Sequence, residues 1–255
     1  MGWHRMKLRI FDTQHDAGLY AASQVEQTVL ENKYPVLGLA TGSTPIPLYE
    51  ALVHLHRNGL DLSTVTTINL DEYIGIPPTH PQSFRYFMQK NLFDHVNILS
   101  KNIYIPGGMS DDLDGECKRY DEVIRKNPIY LQILGIGING HIGFNEPDDL
   151  LLSNTHVVQL RQETIRSNAR FFQSIDEVPK KAITMGVQAI LQSRKIILMA
   201  FGDEKSEIVY KMLGGEVRTD VPASILQLHR EITIILDEES ASKLSGDYIS
   251  QFIYD

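Results

Sequence analysis

The 255-residue sequence has one cysteine, Cys117, and one tryptophan. A single thiol cannot form an internal disulfide, which fits a reducing cytoplasm and excludes a disulfide-stapled scaffold. No stretch approaches the roughly 20 apolar residues that span a membrane. The opening MGWHRMKLRIFD lacks the apolar core and small-residue cleavage site of a signal peptide. Met6 begins a second plausible start, so the first five residues are given no structural role. Basic residues are in the minority, 24 Lys and Arg against 32 Asp and Glu, for a net charge of −8. That balance is poorly suited to gripping a phosphate backbone, so no nucleic-acid partner is expected. One local anion site remains compatible with it. Hydrophobic residues at 42% and charged residues at 22% exclude a disordered chain. Repeats, low-complexity stretches and Gly/Ser linkers are absent, so residues 1–255 read as one domain.

Short apolar runs alternate with helical patterns. Strands are expected at Leu8 to Phe11, Val36 to Ala40, Thr66 to Leu70, Leu131 to Leu134, Val157 to Leu160, Lys195 to Phe201 and Glu231 to Leu236. Helices are expected from Thr13 to Asn32, Pro45 to about Asn58, Ser83 to Leu92, Asp111 to Lys126, Arg161 to Phe172, Val187 to Leu191 and Lys205 to Leu213, with a helical tail after Glu238. Strands separated by helices imply an α/β fold, doubly wound and Rossmann-like, with a mostly parallel sheet and helices on both faces. Ligands of such sheets gather beyond the carboxyl ends of the strands, and four of those ends carry suggestive chemistry.

After VLGLA comes Thr41-Gly42-Ser43-Thr44-Pro45, opening a helix. It reads either as a phosphate cradle of hydroxyls and helix N-terminal amides or as a polar turn with a good cap. After TTINL comes Asp71-Glu72-Tyr73. Asp71 reads either as a general base near a carbon acid or as an exposed turn acid capping a helix. After LQIL, the segment from Gly135 to Pro147 holds a literal G-x-G-x-x-G. A dinucleotide reading requires a helix opening at those glycines, and Gly143, Asn145 and Pro147 break the next turn. His141, with Asn139 before it and Glu146 after it, reads instead as an oriented acid/base group. After KIILMAF, Lys205 stands in the first turn of a helix, which the helix dipole disfavours unless an anion sits there.

Other candidates are weaker. His54 and His56 are two apart on a helix and do not share a face, so no metal pair is expected. Cys117 reads as inert. Tyr248, Phe252 and Tyr254 read as packing residues.

Taken together, the strand ends resemble the glucosamine-6-phosphate deaminase (isomerase) family. The resemblance rests on LGLATGSTPIPLYEAL (37–52), NLDEYIGIPPTHPQSFRYFM (69–88), LGIGINGHIGFNEP (134–147), NARFF (168–172), FGDEKSEIV (201–209) and LQLH (226–229). It implies hydrolytic deamination with aldose–ketose isomerisation, from glucosamine 6-phosphate to fructose 6-phosphate and ammonia in amino-sugar catabolism. No metal or organic cofactor is implied, and the partner is the small sugar phosphate. Residue by residue, His141 would open the sugar ring, Asp71 would move the proton between C2 and C1, and Glu146 would orient His141. Gly42, Ser43, Thr44, Arg170 and Lys205 would hold the phosphate. A helical lid at about 155–180 would carry Arg170 to the substrate.

Two departures stand out. Asn139 occupies a position that is aspartate in the best-known members, so it is expected to orient by hydrogen bonding rather than supply charge. The family members activated by N-acetylglucosamine 6-phosphate carry basic residues where this chain has His156 and Val158, so such activation is not expected, and a monomer or small homo-oligomer is. The competing readings are a galactosamine-6-phosphate deaminase, a 6-phosphogluconolactonase and a non-catalytic sugar-phosphate sensor.

Overall fold

The structure, a computed structural model, describes residues 5–250 and 252. The chain runs β1 (Arg5–Phe11), α1 (Gln14–Glu31), β2 (Val36–Leu39), α2 (Ile46–Arg57), β3 (Thr66–Asn69), β4 (Asp71–Tyr73), α3 (Phe84–Asn91), β5 (Ile103–Tyr104), α4 (Leu113–Lys126) and β6 (Leu131–Leu134). It continues through β7 (His156–Gln159), α5 (Gln162–Asn168), β8 (Lys181–Thr184), α6 (Val187–Gln192), β9 (Lys195–Ala200), α7 (Ser206–Leu213), β10 (Glu231–Asp237), α8 (Glu238–Ala241) and α9 (Gly246–Ile249).

Seven parallel strands form the central sheet in the order β1-β10-β9-β6-β2-β3-β5. Its central strands, such as β9, are apolar on both faces because both are covered. Along β9, Ile196, Leu198 and Ala200 enter one core while Ile197 and Met199 enter the other. Alternation of successive side chains across the strand requires that split. Helices α1 and α2 pack together against the second core, through Ala17, Ala21, Val25, Leu48 and Leu52. The α1 N-terminus is capped by Thr13, whose hydroxyl accepts the Asp16 amide at 3.0 Å. Chain order reverses between β2 and β6, so the sheet has its topological switch point there.

A second sheet, β4-β8-β7, is antiparallel and small. It was not legible in the sequence, and several expectations are corrected around it. The strand expected at Val157 to Leu160 forms as β7 but belongs here, not to the parallel sheet. Strands β4, β5 and β8 were not expected, since two to four residues leave too little periodicity to read. Asp71 is no exposed turn acid: it begins β4 and is 6% exposed. The helix expected from Arg161 to Phe172 ends at Asn168 and tightens into a 3₁₀ turn, Ala169–Phe171. Lys205 closes a 3₁₀ turn, Asp203–Lys205, before α7 begins. The described part of the tail after Glu238 is helical in two four-residue pieces, Glu238–Ala241 and Gly246–Ile249.

Tyr248 and Phe252 pack at 5.5 Å between ring centroids and lie against the first core, as expected, and Tyr254 falls outside the described residues. Cys117 is buried, and burial with the nearby Asp114, Asp121 and Glu116 raises its thiol to about 11. Among the described residues, no helix is long and apolar enough to cross a membrane.

Candidate active site

A cleft of about 590 Å³ opens over the carboxyl ends of the central strands, at the switch point. Its walls include Gly42, Ser43, Thr44, Asp71, His141, Arg170 and Lys205. Residues expected from five separate segments therefore meet in one cavity. Glu146 and Asn139 stand behind His141 and do not line it.

Asp71 arrives by an abrupt change of sheet. Leu70 still donates its amide to Leu39 O at 3.2 Å, in the parallel sheet, and accepts the Met185 amide at 2.7 Å. The next residue pairs with Thr184 in the antiparallel sheet. Burial and the charge of Glu72 raise the Asp71 carboxyl to about 8. The neighbouring carboxylate is stabilised quite differently: Glu72 Oε1 accepts the Tyr73 and Phe84 amides and Oε2 the Arg85 amide, all at 2.9 Å. A buried carboxylate with that many donors, at the first turn of α3, holds its charge far better than one with none. Burial still pushes Glu72 above its ordinary value, but the three amides act on it alone.

The His141 loop is built around glycine. A Cβ on Gly137 would lie 2.3 to 2.6 Å from three atoms of the imidazole, so the ring rests on bare backbone. The Gly137 amide also donates to His141 O at 2.9 Å. Gly143 has φ +58, and a Cβ there would lie 3.0 Å from Thr184 Oγ1 and 3.4 Å from Asp71 Oδ2. That close approach brings the loop of His141 against the carboxyl of Asp71. Thr184 Oγ1 accepts the Phe144 amide at 3.0 Å, and Asn145 donates to Ile142 O and Met185 O at 2.8 and 2.9 Å. No helix follows the glycines, which removes the basis of a dinucleotide fingerprint.

Glu146 is 6% exposed, with Oε2 3.5 Å from His141 Nδ1. Asn139 donates to the same Oε2 at 2.7 Å, and its own Oδ1 accepts the His141 amide at 3.3 Å. Burial pushes the Glu146 carboxyl up, but His141, Thr164 and Asn139 together bring it below its ordinary value.

The cationic part of the cleft is assembled from three elements. Residues 41–44 turn from β2 into α2, whose N-terminus no side chain caps. Gly202, at φ +86, donates its amide to both Asp237 carboxylate oxygens at 3.0 and 2.9 Å. This fixes the turn that presents Lys205. Burial lowers the Lys205 pKa, Glu204 opposes that, and the nearby Arg170 adds to it. Two cations on one wall of a cleft, each felt by the other, suit an anionic ligand.

Sequence reading missed the parts that hold these groups. Tyr73, in contact with Phe84 at 4.7 Å and Phe144 at 5.6 Å between centroids, anchors an aromatic wall. Its hydroxyl accepts from Asn168 at 2.8 Å. Thr164 and Asn168 are spaced i, i+4 on α5, and that spacing was the available signal. For Glu72 no signal existed, because its amide partners at Phe84 and Arg85 are 12 and 13 residues away.

Residues 12–235 match the family model for glucosamine-6-phosphate isomerases/6-phosphogluconolactonase. A glucosamine-6-phosphate deaminase of Thermoanaerobacter sp. (strain X514) is 48% identical over 248 residues, 96% of this chain and 98% of that one. Its counterpart in Clostridium botulinum (strain Langeland / NCTC 10281 / Type F) is 49% identical over 241 residues, 94% of this chain and 99% of that one. Among solved structures, a monomeric glucosamine-6-phosphate deaminase superposes with a TM-score of 0.91 at 44% identity, covering 93% of this chain and 99% of that one. A 6-phosphogluconolactonase from Leishmania guyanensis shares the fold at TM-score 0.75 and 20% identity, over 94% of this chain and 99% of that one. By sequence, by fold and by the matched length, the chain belongs to the glucosamine-6-phosphate isomerase/6-phosphogluconolactonase family.

Proposed function

We propose that the chain deaminates glucosamine 6-phosphate, releasing fructose 6-phosphate and ammonia. The observation that carries this reading is the meeting of Asp71, His141, Arg170 and Lys205 in one cleft. The match to deaminases at 48% and 49% identity supports it. Arg170, Lys205 and the 41–44 turn take the phosphate. His141 moves the proton of the anomeric hydroxyl to the ring oxygen, which frees the aldehyde. Asp71, as carboxylate, removes the proton from C2 and delivers it to C1. The enolamine formed in between becomes an imine at C2, water adds there, ammonia leaves, and the ketose remains. A carboxyl raised to about 8 suits this task. Its anion is a stronger base than an ordinary carboxylate, and its acid form persists long enough to return the proton.

Asn139 acts through Glu146 and carries no charge. Residues 155–180 act as the lid, with water excluded from the enolamine when it closes. The catalyst works as a monomer or small homo-oligomer, the monomer favoured by likeness to a monomeric deaminase, and its single cysteine suits a reducing cytoplasm. The test is direct: incubate the purified protein with glucosamine 6-phosphate and, in parallel, galactosamine 6-phosphate, and measure ammonia and fructose 6-phosphate. Turnover of the gluco substrate is expected. Turnover of the galacto substrate alone keeps the mechanism and changes the specificity. Silence with both overturns the reading and directs attention to lactone hydrolysis.

A further inference from the structure

Three buried polar atoms around one carboxylate make no hydrogen bond: Glu146 Oε1, His141 Nδ1 and Thr164 Oγ1. Buried polar groups are almost always paired, so a cluster of orphans marks a place where pairing is deferred. The other Glu146 oxygen is accounted for, since Oε2 takes the Asn139 amide at 2.7 Å and faces His141 Nδ1 at 3.5 Å. Oε1 has no such partner. Thr164 is 3% exposed, and its hydroxyl sits near enough to Glu146 to help hold that carboxyl below its ordinary pKa. It is also the one member of the trio that lies outside the 139–146 loop.

Thr164 belongs to α5, and that helix is tied to both halves of the cleft. One turn further on, Asn168 holds the Tyr73 hydroxyl at 2.8 Å, on the strand that begins with Asp71. The helix then runs without a break into the 3₁₀ turn that carries Arg170. A phosphate gripped by Arg170 therefore pulls on the same piece of backbone that positions Thr164.

We propose that Thr164 is a positioning residue: drawn in with α5 when substrate phosphate is held, its hydroxyl donates to Glu146 Oε1 and fixes the carboxylate that orients His141. A carboxylate held at Oε1 by Thr164 and at Oε2 by Asn139 can no longer rotate about its last bond. Its Oε2 then presents a fixed acceptor to His141 Nδ1, and the opposite ring nitrogen is aimed at the sugar. The phosphate contributes to rate as well as to binding, because ring opening waits on a contact that phosphate capture completes. This rests on the deaminase reading above.

The test compares Thr164→Val, which keeps the shape and removes the hydroxyl, with Thr164→Ser, which keeps the hydroxyl. Deamination of glucosamine 6-phosphate is measured alongside binding of 2-amino-2-deoxyhexitol 6-phosphate, an open-chain amino sugar phosphate with no ring to open. Loss of one hydrogen bond to a charged group predicts a kcat about 10-fold lower in Thr164→Val. Hexitol phosphate binding should stay within about 2-fold, and Thr164→Ser should recover most of the lost rate. Wild-type kcat in Thr164→Val overturns the proposal. So does a parallel loss of kcat and hexitol binding in both variants, which assigns Thr164 to packing. Absence of turnover in the unaltered protein overturns the deaminase reading itself, a result distinct from an active protein indifferent to Thr164.

Discussion

The side-chain amide of Asn168 donates to the Tyr73 hydroxyl at 2.8 Å, joining α5 to the strand whose first residue is Asp71. The tie crosses 95 residues of chain and holds the helix that leads to Arg170 against the wall of the cleft. Tyr73→Phe removes the acceptor while keeping the ring in its aromatic cluster. A single lost hydrogen bond of this kind is worth about 1 kcal/mol. Amide exchange across residues 162–171 should accelerate roughly 5-fold in native conditions, with the amides of β9 unchanged. Equal protection in both proteins would show that the tie does not order α5.

Asp71 makes a prediction with a worked sign. Its carboxyl is raised from 3.8 in the unfolded chain to about 8 in the native state. The stabilisation from holding the proton is complete below the unfolded value and disappears as pH rises through the folded one. Asp71→Asn is uncharged throughout, so it should match the wild type in stability near pH 4 and exceed it by at least about 1 kcal/mol at pH 9, roughly 2–4 °C in Tm. Deamination by the variant should fall at least about 100-fold. In the unaltered enzyme the ascending limb of kcat/KM against pH should be centred near 8. Near-normal turnover by Asp71→Asn would remove Asp71 from the reaction.

Asn139 offers a cleaner electrostatic test. Its amide gives Glu146 Oε2 a donor at 2.7 Å. Asn139→Asp places an acceptor against an acceptor in a buried site, and two carboxylates at that distance cannot both ionise. The pair should retain a proton to higher pH, raising the apparent pKa of the Glu146 carboxyl by about 1 unit in a side-chain NMR titration while the limb set by Asp71 stays in place. An unchanged carboxyl titration would mean that the amide does not set the charge of Glu146.

The role proposed for Lys205 is in binding more than in chemistry. Lys205→Ala should raise KM for glucosamine 6-phosphate about 10- to 100-fold, the range for a lost charge-assisted contact, and leave kcat within about 3-fold. Inhibition by inorganic phosphate should weaken in proportion. An effect confined to kcat would argue against a phosphate contact.

Most of the site was legible in the sequence because the parallel sheet delivers its loops to one edge. VLGL, LQIL and KIILMA are short, almost wholly apolar runs that end at Leu39, Leu134 and Ala200. Reading the residues after each run was enough to find Ser43, His141 and Lys205. What stayed hidden depends on partners remote in sequence. Asp71 looked like a possible turn acid because the strand it begins is three residues long and pairs with residues 182–184. Glu72 satisfies amides that only the folded chain brings near. Thr164 carries an ordinary helical residue type, and its importance lies in what stands opposite it.

The edge strand β1 has a consequence for how the chain is made. Arg5 to Phe11 pair in parallel with Glu231 to Asp237, so the first described strand waits for the last one before it can dock. Contacts of such sequence separation are slow to form and favour a late, whole-chain closure. During synthesis the early segment, MKLRIF, has no strand to dock on until β10 has left the ribosome. The same β10 ends in Asp237, which holds Gly202 and with it the turn of Lys205. A nascent chain stalled before residue 231 would therefore lack both its sheet edge and the anchor of the Lys205 turn, making the last strand the point at which the fold and the cleft are completed together.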